Sequence, residues 1–212
     1  EEDSEYKLEY FSTGVQPVPE IAIIEAKKEV IKMSDMMIGM LRLFRKTFKD
    51  SKDITDSLSK ARKIEAVSDQ MQEEISTYLA ECTKHELSFE SSQGAAAMMR
   101  ITNELESIGD SSLNLFLQIE KVTSDLKFND KMNDEVYKIY DVVIDFIKWN
   151  SLFITNNIQP MTDQDLDKSI TYEKEIDNIR TQLIDSSRSR LSKGFKPKSE
   201  FIFISIIKHL EH

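Results

Sequence analysis

Arg100-Ile-Thr-Asn-Glu-Leu-Glu-Ser-Ile-Gly-Asp-Ser-Ser-Leu-Asn114 is the stretch whose reading decides the fold. Around it, Met98, Ile101, Leu105, Ile108, Leu115 and Ile119 recur at three- and four-residue steps, the period of a buried helical seam. Beside the seam runs a polar stripe of Asn103, Glu106, Asp110 and Asn114, whose spacing puts the four on one helical face. Glycine inside a helix costs roughly 1 kcal/mol relative to alanine. Gly109, between the two carboxylates, therefore implies close approach of another backbone or room for a ligand.

Outward from this helix, composition narrows the class. The 212 residues are 40% hydrophobic and 31% charged, the balance of a globular, helix-rich chain long enough to bury a core. Five Gly and four Pro are too few turn-formers for a sheet of many short strands. A net charge of −10 disfavours nucleic acid and anionic membrane surfaces as partners. Cys82 is the only cysteine, so neither an intramolecular disulfide nor a Cys-rich zinc module can form. No apolar run is long enough to cross a membrane, and the acidic start Glu1-Glu-Asp-Ser-Glu5 is unlike a signal peptide. A start without Met reads as a piece of a longer polypeptide, and Leu210-Glu211-His212 matches the beginning of a common purification-tag scar.

Hydrophobic periodicity divides the chain into an irregular leader over 1–18 and six helices. Gly14, Pro17 and Pro19 block regular structure in the leader. The helices are expected at about 19–48, 53–82, 90–123, 129–156, 163–192 and 198–212. Gly194 and Pro197 mark the stop between the last two. Phe201-Ile-Phe-Ile-Ser-Ile-Ile207 has strand-like composition, yet an internal repeat argues that it is helical. Sliding the second half onto the first by about 106 residues places Val30, Met33, Met37 and Met40 on Val136, Ile139, Val143 and Phe146. Glu65 and Asp69 fall on Glu173 and Asp177, and Met98, Ile101, Leu105 and Glu106 on Phe203, Ile206, Leu210 and Glu211. The expectation is an all-α protein of two tandem up-down three-helix units, 19–125 and 126–212, the last helix cut short.

Three Glu-x-x-x-Asp pairs stand out: Glu65/Asp69, Glu106/Asp110 and Glu173/Asp177. Like charges one turn apart repel, and crowded carboxylates suit hard or borderline cations. The plain alternative is a charged flank in a chain with 38 acidic residues, and recurrence in both halves weighs against it. Three-helix tandem units with Glu-x-x-x-Asp in the second helix and Glu-x-Ile-Gly-Asp-x-x-x-Asn in the third resemble the PhoU family. The nearest variety is the PhoU-like domain that follows the membrane part of bacterial sodium/phosphate cotransporters. There a Pro-rich leader enters a helix similar to Pro19-Glu-Ile-Ala-Ile-Ile-Glu-Ala-Lys-Lys-Glu-Val-Ile-Lys-Met33. The resemblance implies a six-helix domain that restrains phosphate uptake or signalling, with metal ions of divalent or iron type on Glu65, Asp69, Glu106 and Asp110, and on Glu173 and Asp177. Ser107 departs from it, standing where the family usually has Arg, and the second unit's third-helix motif stops at Glu211.

Other chemistries fit less well. Cys82 and His85 share a helix end, but Glu81 and Glu86 make a poor setting for a reactive thiolate. No Gly-x-x-x-x-Gly-Lys motif occurs, and Ser91-Ser-Gln-Gly94 reads as a turn and cap before the third helix, with an anion at that helix start as the sharper alternative. Trp149, among Phe146, Ile147, Leu152 and Phe153, reads as core packing between units, or else a docking face. The resulting expectation is a non-catalytic regulatory domain at the cytoplasmic face of the inner membrane. Its partner would be the transporter portion of the same polypeptide; a homodimer is allowed, and neither nucleic acid nor direct membrane insertion is expected. A free-standing regulator of a phosphate ABC transporter and its sensor kinase is the alternative. A helical metalloenzyme ranks last, because no histidine has a Glu three residues before it.

Overall fold

The computed structural model describes residues 19–50, 54–84, 86–122, 128–155 and 161–212. The expected leader over 1–18 and the expected helix ends at Asp53, Thr123 and Asn156 lie outside them. The described residues form six helices: α1 (Pro19–Lys49), α2 (Ile54–Cys82), α3 (Phe89–Glu120), α4 (Asp130–Thr155), α5 (Asp163–Ser192) and α6 (Pro197–Glu211). The all-α expectation holds, including for α6. Its β-branched and aromatic run stays helical because Ile202, Phe203, Ile206, Ile207 and Leu210 all bury against neighbouring helices, and strand preference yields to such packing.

The helix starts are set by local chemistry. Ser88 caps α3, its Oγ accepting from the backbone N–H of Ser91 at 3.1 Å. The expected turn at Ser91–Gly94 is therefore corrected: these residues lie inside the first turns of α3, held there by burial of Ala95 and Met98 one turn on. Thr162 and Asp165 form a reciprocal capping box at the start of α5. Gly194, with φ of 86°, ends α5 as expected. Its N–H donates to the Leu191 carbonyl and that of Phe195 to the Arg190 carbonyl, the paired bonds of a left-handed helix stop.

Helices α1–α3 pack on one another, as do α4–α6, and the halves meet where α3 lies against α6 and α1 against α4. Helix α1 runs antiparallel to α4, for Arg45 bonds Asp141, Ser34 meets Ser151 at 2.8 Å and the Lys27 ammonium reaches the Thr155 carbonyl. One hydrophobic cluster is confined mainly to the far end of the first half, around Met33, Met37, Met71, Leu79 and Met98. The larger one crosses between halves, joining Phe44, Leu58, Leu115 and Phe116 to Val136, Ile139, Leu183 and Phe203. The repeat seen in sequence is visible in burial: Val30, Met33, Val136 and Ile139 are all fully enclosed.

A buried ionic knot fastens the second half. The Arg190 guanidinium donates to Glu200 Oε1 at 2.6 Å and Oε2 at 3.0 Å, and to Glu135 Oε2 at 2.7 Å. Ser187 Oγ adds a bond to Glu200 at 2.6 Å, and the guanidinium lies over the Phe203 ring. Helices α4, α5 and α6 are thereby held at one point with every charge accounted for, the condition under which burial of ions is tolerated.

Candidate functional site

The polar stripe of α3 divides its roles by height along the helix. Asn103 accepts from Gln72 of α2 at 2.7 Å, which pins the two helices side by side. One and two turns on come Glu106 and Asp110, and Asn114 turns back to the Asp110 carbonyl at 3.0 Å. Because α2 runs antiparallel to α3, the pin at Asn103 brings Glu65 and Asp69 opposite Asp110. Carboxylate oxygens of Glu65, Asp69 and Asp110 lie within 4.8 Å of one another. Glu65 is half-buried and the other two are exposed.

Gly109 explains how the helices come so close. A Cβ there would lie 2.8 Å from Ser68 Oγ and 3.3 Å from Met37 Sδ. The sequence raised two reasons for this glycine, a neighbouring backbone or a ligand. The structure gives a third: side chains of α2 and α1 occupy the space. Ser68 is itself fixed by donating to the Glu65 carbonyl at 2.9 Å, so the glycine contact sits directly behind the acidic cluster.

The crowding shows in acidity. Glu65 is pushed above the usual carboxylate range by partial loss of water, then by the charges of Asp69 and Asp110, with Arg62 opposing. Asp69 rises for the first reason and because of Asp110. Glu106 also rises, through partial desolvation and the charges of Asp110 and Asp69, although it is not one of the three converging groups and its own contact is with Ser107 at 3.4 Å. Glu65, Asp69, Glu106 and Asp110 are all oxygen donors, and repulsion among them favours whatever neutralises them, a proton or a cation.

The other half is arranged differently. Glu173 and Asp177 are exposed, and Asp177 is ion-paired to Arg180 at 3.0 Å. Arg180 also bonds Glu211 at 3.3 Å, so a guanidinium stands between the carboxylates that the repeat would bring together. Among the described residues no third acid or histidine converges with Glu173 and Asp177 as Asp110 does with Glu65 and Asp69.

Two further sequence readings resolve. Cys82 is buried and its thiol is pushed up by desolvation, which keeps it protonated; His85 lies outside the described residues. Trp149 is half-buried, stacked with Phe146 and close to Tyr172, with the Lys168 ammonium 5.1 Å above its ring. Sequence reasoning overlooked Arg100, Glu104 and Met161, which border a groove beside this aromatic cluster. The signal in the sequence was the apolar width of the α3 seam, whose Ile101 and Ile108 the structure leaves only half-covered.

Comparison with known proteins bears on the fold. Residues 30–119 match the PhoU domain family, a stretch that includes Glu65, Asp69, Glu106 and Asp110. Among solved structures, the crystal structure of the phosphate transport system regulatory protein PhoU from Streptococcus pneumoniae is similar with a TM-score of 0.79. The likeness covers 92% of this chain and 88% of that one at 11% sequence identity. No curated protein matches the sequence. The six-helix arrangement is thus that of a PhoU-type bundle.

Proposed function

We propose that this chain is a non-catalytic regulatory domain of phosphate transport that works by docking to a membrane transporter, with a cation-responsive acidic face on α2 and α3. The observation that carries the reading is the convergence of Glu65, Asp69 and Asp110 from two helices within a PhoU-type bundle. Glu65, Asp69 and Asp110 would hold a divalent or iron-type cation, with Glu106 one turn from Asp110 as a further oxygen donor. Such a cation would supply charge neutralisation, relieving the repulsion that adds to partial loss of water in raising the pKa values of Glu65, Asp69 and Glu106. Its effect on the chain would be to fix the spacing of α2 and α3 and to turn a repelling face into a neutral one, a local electrostatic change that a docking partner can read. Glu173 and Asp177 would play a lesser part, because Arg180 already supplies positive charge there.

The partner we favour is the membrane portion of a sodium-dependent phosphate cotransporter, at the cytoplasmic face of the membrane, on the strength of the Pro-rich entry into α1. A second reading has support of its own. The chain spans most of a solved phosphate transport system regulatory protein, as a free-standing regulator acting on a phosphate ABC transporter would.

Elemental analysis tests the cation. Purified protein is expected to carry metal in stoichiometric amount, and Glu106→Gln with Asp110→Asn to lose it. Phosphate uptake by cells expressing each form should change with the loss. Metal-free protein in both cases would return the cluster to a charged flank, and unaltered uptake would remove its regulatory role.

A further inference from the structure

We propose that the hollow between the C-terminal part of α1 and the middle of α4 is a binding site for a soluble anion carrying two or more linked phosphoryl groups. In a chain of net charge −10, positive charge gathers there: Arg42, Arg45, Lys46 and Lys49 of α1 and Lys148 of α4 border a space of about 380 Å³. The four α1 residues stand at i, i+3, i+4 and i+7, one face of the helix. Arg45 bonds Asp141 and Lys148 bonds Asp145, while Arg42, Lys46 and Lys49 have no carboxylate partner among the described residues. Like charges at this spacing repel one another. Lys46 and Lys49 suit the negative end of the α1 dipole without any ligand. Arg42 lies a turn before them and Lys148 belongs to another helix, so the dipole does not account for the cluster.

Beneath the cations lies an unused donor. Tyr140 is only 2% exposed and lines the hollow, and its hydroxyl has no hydrogen-bond partner among the described residues. Burial raises its pKa, with the charges of Arg45 and Arg42 opposing, so the hydroxyl stays protonated and able to donate. The Arg45 guanidinium is held by Asp141 and lies 5.5 Å from the Tyr137 ring centre and 5.3 Å from that of Tyr140, which fixes one wall in advance. Guanidinium groups match phosphoryl oxygens in pairs, and ammonium groups meet them as point charges. From Arg42 to Lys49 the stripe rises about 10 Å. A single phosphate cannot reach both ends, and linked phosphoryl groups can. A concave site with Asp141 and Asp145 at its margin favours a compact soluble anion over a flat anionic membrane. Because α1 belongs to the first half and α4 to the second, the bound anion would bridge the halves.

This inference stands apart from the cation cluster on α2 and α3, and the test is run in metal-free buffer so that the probe cannot act by sequestering metal. The probe is inorganic tripolyphosphate, followed by titration calorimetry at low salt. Saturable binding is expected, weaker for orthophosphate and falling as salt rises. Arg42→Gln with Lys46→Gln, at exposed positions without ion pairs, should weaken binding by about tenfold or more with helical content unchanged. Tyr140→Phe, which keeps the ring, should weaken it by about fivefold. Lys63→Gln with Lys174→Gln removes the same charge from exposed positions elsewhere and should bind as the parent does. The inference is overturned if tripolyphosphate gives no saturable binding, or if the two double variants lose affinity equally. Sedimentation with phosphatidylglycerol vesicles that Arg42→Gln and Lys46→Gln abolish, without tripolyphosphate binding, would assign the patch to a lipid surface and overturn it too. Unchanged affinity in Tyr140→Phe would overturn the part given to the hydroxyl.

Discussion

Neutralising Asp110 should reverse the sign of its effect on stability according to whether a divalent cation is present. The oxygens of Glu65, Asp69 and Asp110 lie within 4.8 Å of one another, giving three like-charge pairs, of which Asp110→Asn removes two. At that distance one pair costs about 0.9 kcal/mol in a water-like dielectric and about 3.5 kcal/mol at an effective dielectric near 20. Two of the three groups are exposed, so the lower figure governs and screening trims it further. The variant is therefore expected to gain about 1–2 kcal/mol in urea unfolding at pH 7.5 in chelator and low salt. The gain should shrink in high salt. It should also fade with acidity. Partial burial first, and then the neighbouring carboxylates, hold the folded-state pKa values of Glu65, Asp69 and Glu106 above their ordinary ones, so charging them opposes folding, and that opposition is complete above the raised values. It is relieved as pH falls through them and is gone below the ordinary carboxylate range. With a saturating divalent cation the order should invert, because the parent binds and is stabilised in proportion to ligand excess over Kd while the variant is not. A variant that is less stable than the parent in chelator would refute the electrostatic reasoning. Equal stabilisation of both by every divalent cation tried would refute the binding.

Three further outcomes follow from packing and ionic contacts. Glu200→Gln leaves Arg190 with Glu135 as its charged partner in a buried setting and should cost about 3 kcal/mol in urea or thermal unfolding; a loss below about 1 kcal/mol would mean that the knot opens to water and contributes little. Gly109→Ala should destabilise by about 1 kcal/mol, because overpacking against Ser68 and Met37 outweighs the gain in helix propensity. In a Ser68→Ala background, which removes the closest atom, the same change should become neutral or stabilising in a two-by-two unfolding cycle. Thr162→Ala removes one side of the capping box at α5 and should lower stability by about 1 kcal/mol, with faster amide exchange confined to the first turn of that helix.

The parts of this fold that sequence shows are those carried by short-range periodicity. The seam of α3, the Met-rich face of α1 and the Gly194 stop depend on residues within a few turns, and each stands where periodicity or glycine chemistry puts it. The repeat extended that reach, since burying equivalent faces requires equivalent residues at equivalent places, and it overruled the strand-like composition of α6. What escaped was set by contacts distant in sequence. Arg190 finds Glu135 from 55 residues away, and Gly109 is explained by Ser68 and Met37, which lie on two other helices. The turn expected at Ser91–Gly94 fails for a related reason, although the helix start expected at about 90 lies one residue from Phe89. Serines and a glycine at 91–94 have turn chemistry locally, but Ser88 had already capped the helix and burial of Ala95 and Met98 decides the conformation. Of the acidic residues, the pairing of Glu65/Asp69 with Asp110 follows from antiparallel α2 and α3 in register. The different state of Glu173/Asp177 does not, because it depends on Arg180 standing between them and Glu211.

The two halves differ in how positive charge reaches their acids. In the second, Arg180 is ion-paired with both Asp177 and Glu211; in the first, Arg62 lowers the Glu65 pKa by less than burial and the neighbouring carboxylates raise it. On the proposed reading, a cation that neutralises the first cluster and a partner that reads the change are coupled reciprocally: a cation that tightens docking must itself be bound more tightly by the docked protein, by the same factor. The close contact at Gly109 ties α3 to α1 and α2 directly behind that cluster, so a change in the spacing of α2 and α3 is not absorbed locally.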